Sequence, residues 1–122
     1  MANELSITGS ISYTNSAAPL YQAAKQLSIQ DDALGKKYTA NTQIIGSGGE
    51  ENLDKSGDIT TVGWVIAKNL DGSNTITLGT TATQRPVNLP PGGICVWYAN
   101  ASEVIAQAGG GSPIIEYLLI EA

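Results

Sequence analysis

Asp71, Ser73 and Asn74 put three oxygen-bearing side chains within four residues, in the stretch GWVIAKNLDGSNTITLG over 63–79. A hard cation such as Ca²⁺ takes ligands of that kind, but the acidic density and spacing fall short of a calcium loop. The same residues have a structural use. Asp71-Gly72 between two alternating stretches signals a hairpin in which Gly72 supplies a positive φ, and Asn69, Asp71 and Asn74 can cap nearby backbone amides. The loop therefore reads as a structural turn, and no metal ligand is assigned.

Other candidates for chemistry are equally spare. Glu50 and Glu51, like Asp31 and Asp32, are sequence neighbours, and neighbours along an extended chain point apart. A glycosidase needs two carboxylates facing one cleft. Cys95 lies in GGICVWYA, but the chain has no histidine to act as its base. Glu103 or Lys68 could serve in principle; both read better as solvent-facing charges, and Cys95 as a buried thiol. Trp64, Trp97, Tyr98 and Tyr117 could form a sugar platform, or be core or subunit-contact aromatics. The glycine-rich GGEEN and GGGS lack the lysine of a phosphate loop. No catalytic residue and no cofactor are expected.

The balance of the chain agrees. It has 122 residues, six basic and eleven acidic, for a net charge of −5. No basic stripe offers itself to phosphates, so direct nucleic-acid binding is not expected. The single cysteine excludes an internal disulfide and fits a reducing compartment. The first ten residues lack the basic region and apolar core of a secretory leader, and no run is long enough to span a membrane as a helix. Charged residues make up only 14% of the chain, and neutral polar residues fill the deficit. Such surfaces can pack against copies of themselves with little charge to desolvate.

The elements that would position these residues are strands. ELSITGSISYTN sets Leu5, Ile7, Ile11 and Tyr13 against a Ser/Thr face, with Gly9 as a bulge or close-contact candidate. Ala17–Ala24 is compatible with a short helical turn after Pro19, or with a loop entering a strand at Lys25–Gln30. DDALGKK reads as a turn. KYTANTQIIGS puts Tyr38, Ala40, Thr42 and Ile44 on one side. The polar interval GSGGEENLDKSGD is either a mobile loop or one pinned by Leu53. ITTVGWVIAKN sets Val62, Trp64 and Ile66 against Val65 and Ala67, the pattern of a central strand covered on two faces. NTITLGT, RPVNL, ICVWYAN and SEVIAQA follow, with Pro91-Gly92 centring a type II turn. In SPIIEYLLIEA, Ile114, Leu118 and Ile120 share one face and Ile115, Tyr117 and Leu119 the other. That strand is central in its sheet or covers a core on one side and a neighbour on the other, and the interface set assigned is Ile115, Tyr117 and Leu119. The pattern predicts a single all-β domain over 1–122, an antiparallel, jelly-roll-like β-sandwich of about eight strands.

GDITTVGWVIAKNLDGSNTITLG followed by LPPGGICVWYA resembles a segment of small structural proteins from tailed bacteriophage virions. Gly63, Trp64, Lys68, Asn69, Leu70, Asp71, Asn74, Ile76 and Gly79 stand at the matching places. Pro91 and Gly92 match a later turn, with Gly93 where an acidic residue is more usual. ELSITGSISYTN and ANTQIIGSGGEENL look like the same group. The resemblance implies a non-enzymatic head decoration, neck or tail subunit, made in the bacterial cytoplasm and carried in the virion. Its implied partners are copies of itself and other virion proteins, with no membrane. The alternative is a carbohydrate- or surface-binding β-sandwich module, and a weaker third reading is a Ca²⁺-dependent lectin-like or hydrolase-accessory subunit.

Overall fold

The computed structural model describes residues 5–14, 22–31 and 36–122, with side chains for 5–8 and 36–122. Contacts group the chain into two compact units, Met1–Gly35 and Lys36–Ala122. The first holds two antiparallel strands, β1 (Leu5–Thr14) and β2 (Gln22–Asp31). Their register runs unbroken from Leu5 opposite Asp31 to Thr14 opposite Gln22, so Gly9 marks no bulge. β2 claims Gln22–Ala24 from the helical alternative; residues 17–21, and the turn expected at 32–35, lie outside the described residues.

All the strands of the sandwich belong to the second unit: β3 (Tyr38–Ile44), β4 (Glu51–Asn52), β5 (Val62–Asn69), β6 (Ile76–Gly79), β7 (Val87–Leu89), β8 (Ile94–Ala101), β9 (Ile105–Ala108) and β10 (Ile114–Glu121). They form two four-stranded antiparallel sheets, a front sheet in the order β3-β10-β5-β8 and a back sheet β4-β9-β6-β7. The pairing is nested. β3 pairs with β10, β4 with β9, β5 with β8 and β6 with β7, as in one long hairpin whose tip is β6–β7. Rolled up so that β10 also meets β5 and β9 meets β6, the hairpin becomes a jelly roll.

Period-two alternation decides what lies between the sheets. Val65 and Ala67 of β5, Ile76 and Leu78 of β6, Ala106 of β9, and Ile115, Tyr117 and Leu119 of β10 all face inward and are buried. Cys95, Trp97 and Ala99 of β8 pack against them. Leu53 is 1% exposed, and its amide donates to the Val104 carbonyl at 2.8 Å, so the polar interval is pinned at its middle. Alternation fails in β5. Register shifts between Val62 and Trp64, and between Leu119 and Glu121 opposite, turn Val62 inward with Val65, while β10 stays in step with β3 and sets Ile120 opposite Tyr38. A bulge inserts a residue out of phase, so Val62 does not share the face of Trp64 and Ile66.

Candidate functional site

The loop after β5 is a polar knot. Asn69 ends β5 facing inward and is fully buried. Its Nδ2 donates to the carbonyls of Asn74 at 2.7 Å, Leu89 at 3.0 Å and Pro90 at 3.3 Å. Its Oδ1 accepts from the Asp71 amide at 2.9 Å. Asp71 Oδ2 in turn accepts from the amides of Ser73 at 3.0 Å and Asn74 at 2.6 Å. Those amides, Ser73 first, hold the Asp71 carboxyl below the usual carboxylate range. Of the oxygens that could have met a cation, Asp71 Oδ2 is spent on the loop's own backbone. Among the described residues no group of three Asp, Glu, Cys or His could hold a metal ion.

Asn69, Asp71 and Asn74 thus organise a turn, but not a hairpin. β5 lies in the front sheet and β6 in the back sheet, so the loop crosses between layers. Gly72 is correspondingly not at positive φ, and a Cβ there would meet nothing. The turn at Pro91-Gly92 has the expected form: Gly92 sits at φ 75° and the Gly93 amide donates to the Pro90 carbonyl at 2.7 Å. Asn69 joins the two loops, since the Gly92 amide donates to its carbonyl at 3.1 Å.

The other candidates separate. Glu103 pairs with Lys55 at 3.2 Å. Lys68 lies opposite Ile94, one residue out of step with Cys95 opposite Ala67, so Lys68 and Cys95 occupy opposite faces. Burial pushes the Cys95 thiol up. Glu51 accepts from Gln43 Nε2 at 3.0 Å and from the Gly46 amide at 3.3 Å, ties within its own turn. The four aromatics do not form one platform. Trp97 and Tyr117 face inward, and the Tyr117 hydroxyl donates to the Asp54 carbonyl at 2.7 Å. Trp64 and Tyr98 face outward and meet edge to face, centroids 5.3 Å apart at 81°. That is a mutual contact rather than a flat surface for a sugar ring.

β10 is central and apolar on both faces, and the face that packs the core is the one expected to meet a neighbour. Ile115, Tyr117 and Leu119 are at most 3% exposed. An assigned interface there is corrected to core; Ile114, Glu116 and Leu118 point outward instead. On the outer side of β5, Trp64 and Ile66 are half-buried and Lys68 is exposed.

What emerges is the outer face of the front sheet. Of the six exposed large apolar residues among the described residues, five lie on it: Tyr38, Ile44, Ile94, Tyr98 and Ile114. The register aligns them in rows. Val96, Ile66, Leu118 and Ala40 make one, and Ile94, Lys68, Glu116 and Thr42 the next. An open groove of about 680 Å³ runs over these rows, lined by Ala40, Thr42, Ile66, Lys68, Ile94 and Glu116 among others. Lys68 and Glu116 sit side by side without closing an ion pair; Lys55–Glu103 is the ion pair found among the described residues. Tyr38 and Ile44 were visible in the sequence as one side of a strand, but not as the exposed side. No known protein family matches this chain, and no characterised protein or solved structure gives a significant match.

Proposed function

We propose that the protein is a non-enzymatic structural subunit of a tailed-bacteriophage virion, a head decoration, neck or tail component, that assembles through the outer face of its front sheet. The observation that carries this reading is the gathering of Tyr38, Ile44, Ile94, Tyr98 and Ile114 on one sheet face. Exposed large apolar side chains scattered singly are ordinary, whereas several on one face, with half-buried Ile66, Val96 and Leu118 between them, mark a contact surface. The virion setting is supported by the resemblance around Gly63–Gly79 and Pro91-Gly92. Jelly rolls serve in viral capsids but also in lectins and cupins, so the architecture adds little by itself. On this reading the protein is made in the host cytoplasm, and its partners are its own copies and other virion proteins.

Negative-stain electron microscopy of the concentrated protein, alone and with virions of a candidate phage, tests the reading. Ordered assemblies or decorated particles, lost when Tyr38→Lys and Ile94→Lys are combined, are expected. A protein that neither assembles nor decorates, and instead binds a defined glycan through Trp64 and Tyr98, would overturn it in favour of a carbohydrate-binding module.

A further inference from the structure

Every outward position of β3, β10, β5 and β8 is uncharged except two. Those two, Lys68 of β5 and Glu116 of β10, are direct cross-strand neighbours at the middle of the face. The chain carries a net charge of −5, yet this face is neutral. Two acidic molecules can approach through it without the repulsion their other surfaces impose.

We infer that the occupant of this face is a second copy of this chain, packed face to face about a two-fold axis running along the strands between β5 and β10. The inference rests on the reading of the face as a docking surface and names its partner. The axis follows from the register. It places each β5 over the partner's β10 and each β8 over the partner's β3. Lys68 then meets Glu116 of the other copy, and Glu116 meets Lys68, so one pair of charges is satisfied twice, as an isologous contact requires. Ile66 falls over Leu118, Val96 over the small Ala40 and Ile94 over Thr42. In both complete rows a larger residue of β8 opposes a smaller one of β3, which lets two pleated faces close on each other.

The size of the face sets the strength. Strands of about eight residues at ~3.3 Å each, four of them ~4.8 Å apart, make a face of about 500 Å². Two copies together bury about 1,000 Å², the lower bound of a specific interface. An interface of that size suits a reversible dimer rather than an obligate one.

Sedimentation velocity on the full chain over roughly 1–500 µM provides the test, since that range brackets a micromolar constant. Wild type is expected to pass from monomer to dimer. Lys68→Glu and Glu116→Lys are both at exposed positions. Each puts like charges together twice per dimer, so each is expected to weaken association at least about tenfold. An equimolar mixture of the two variants restores opposite charges at both contacts and is expected to form a mixed dimer. Circular dichroism checks that each variant keeps the wild-type fold. A wild type that stays monomeric throughout, single variants that dimerise as well as wild type, or a mixture that remains monomeric would each overturn the two-fold dimer. If wild type stays monomeric but decorates virions through Tyr38 and Ile94, the docking reading stands and only the second copy is refuted.

Discussion

Replacing Asn69 by Ala should be among the most damaging single changes in the sandwich, although Asn69 touches no part of the assembly face. The side chain is fully buried and serves four backbone groups. Its bond to the Leu89 carbonyl is wholly buried. That carbonyl would be left without a partner, at a cost of about 1–3 kcal/mol. The Asn74 carbonyl and the Asp71 amide are partly reached by water, and losing each bond costs about 0.5–1 kcal/mol. The 3.3 Å contact to Pro90 adds little. The total is about 3 kcal/mol, a large share of the 5–15 kcal/mol that holds a typical small domain together, about. In urea unfolding, with a slope of about 2 kcal/mol per molar, the midpoint should fall by about 1.5 M at unchanged slope. Asn69→Asp separates hydrogen bonding from simple packing. It keeps the shape but turns a carboxylate oxygen toward carbonyls, so it should be worse than Ala at neutral pH. Because the native state would raise that carboxyl's pKa, its protonated form favours folding, and the deficit should shrink as pH falls through the raised value. A loss under about 0.5 kcal/mol for Asn69→Ala would refute the claim that the Leu89 carbonyl depends on Asn69 for its partner.

Gly92→Val should cost about 1–2 kcal/mol by thermal denaturation, because a β-branched residue resists the left-handed backbone, whereas Gly72→Val should stay within about 0.5 kcal/mol of wild type. Equal losses at the two sites would show that Gly72, like Gly92, needs the left-handed backbone. The depressed Asp71 carboxyl contributes stability that is fully present above its unfolded pKa and lost as pH falls through the lower native value. Asp71→Asn should therefore flatten the loss of stability below about pH 4, checked by urea titrations at several acid pH values. Tyr117→Phe should cost about 1 kcal/mol through the lost bond to Asp54. Burial raises the Tyr117 phenol, so its stabilisation holds below the usual tyrosine range and fades as pH rises through the raised value. Ultraviolet titration of wild type against that variant should show one tyrosine ionising late. Thiol labelling of folded Cys95 should be many times slower than in denaturant, since the group is half-buried with its pKa raised.

Strand identity was legible because it is written in side-chain alternation, which needs no partner strand to be seen. Ile94, Val96 and Tyr98 against Cys95 and Trp97 came out as read, and so did the Pro-Pro-Gly-Gly turn, whose conformation is set by the residues within it. Three features depend on partners and were hidden. Asp-Gly between strands looks the same whether the chain turns back in one sheet or crosses to another, so Gly72 was misread. The bulge at Val62 exists only in the pairing of β5 with β8 and β10. Above all, a strand apolar on both faces does not say which face is inside. Ile115, Tyr117 and Leu119 are distinguished from Ile114 and Leu118 only by the back sheet they meet, so the candidate surface emerged one residue out of phase.

The nested pairing also governs the order in which this molecule can come into being. β10 sits in the middle of the front sheet, between β3 and β5, yet it follows every other strand in the chain. On a ribosome, β3 emerges with no neighbour in its own sheet and must wait for a strand about 70 residues later, as the pairing of Ile44 with Ile114 requires. The back sheet's tip, β6 with β7, can zip early, but the front sheet cannot close before synthesis has passed Glu121. Throughout that interval β8 can already flank one edge of β5, but the edge that β10 will occupy stays bare and open to pairing with a neighbouring nascent chain. A chain that stalls before β10 therefore leaves β3 without a partner and one edge of β5 bare, a species for aggregation or degradation, instead of a smaller version of the same protein.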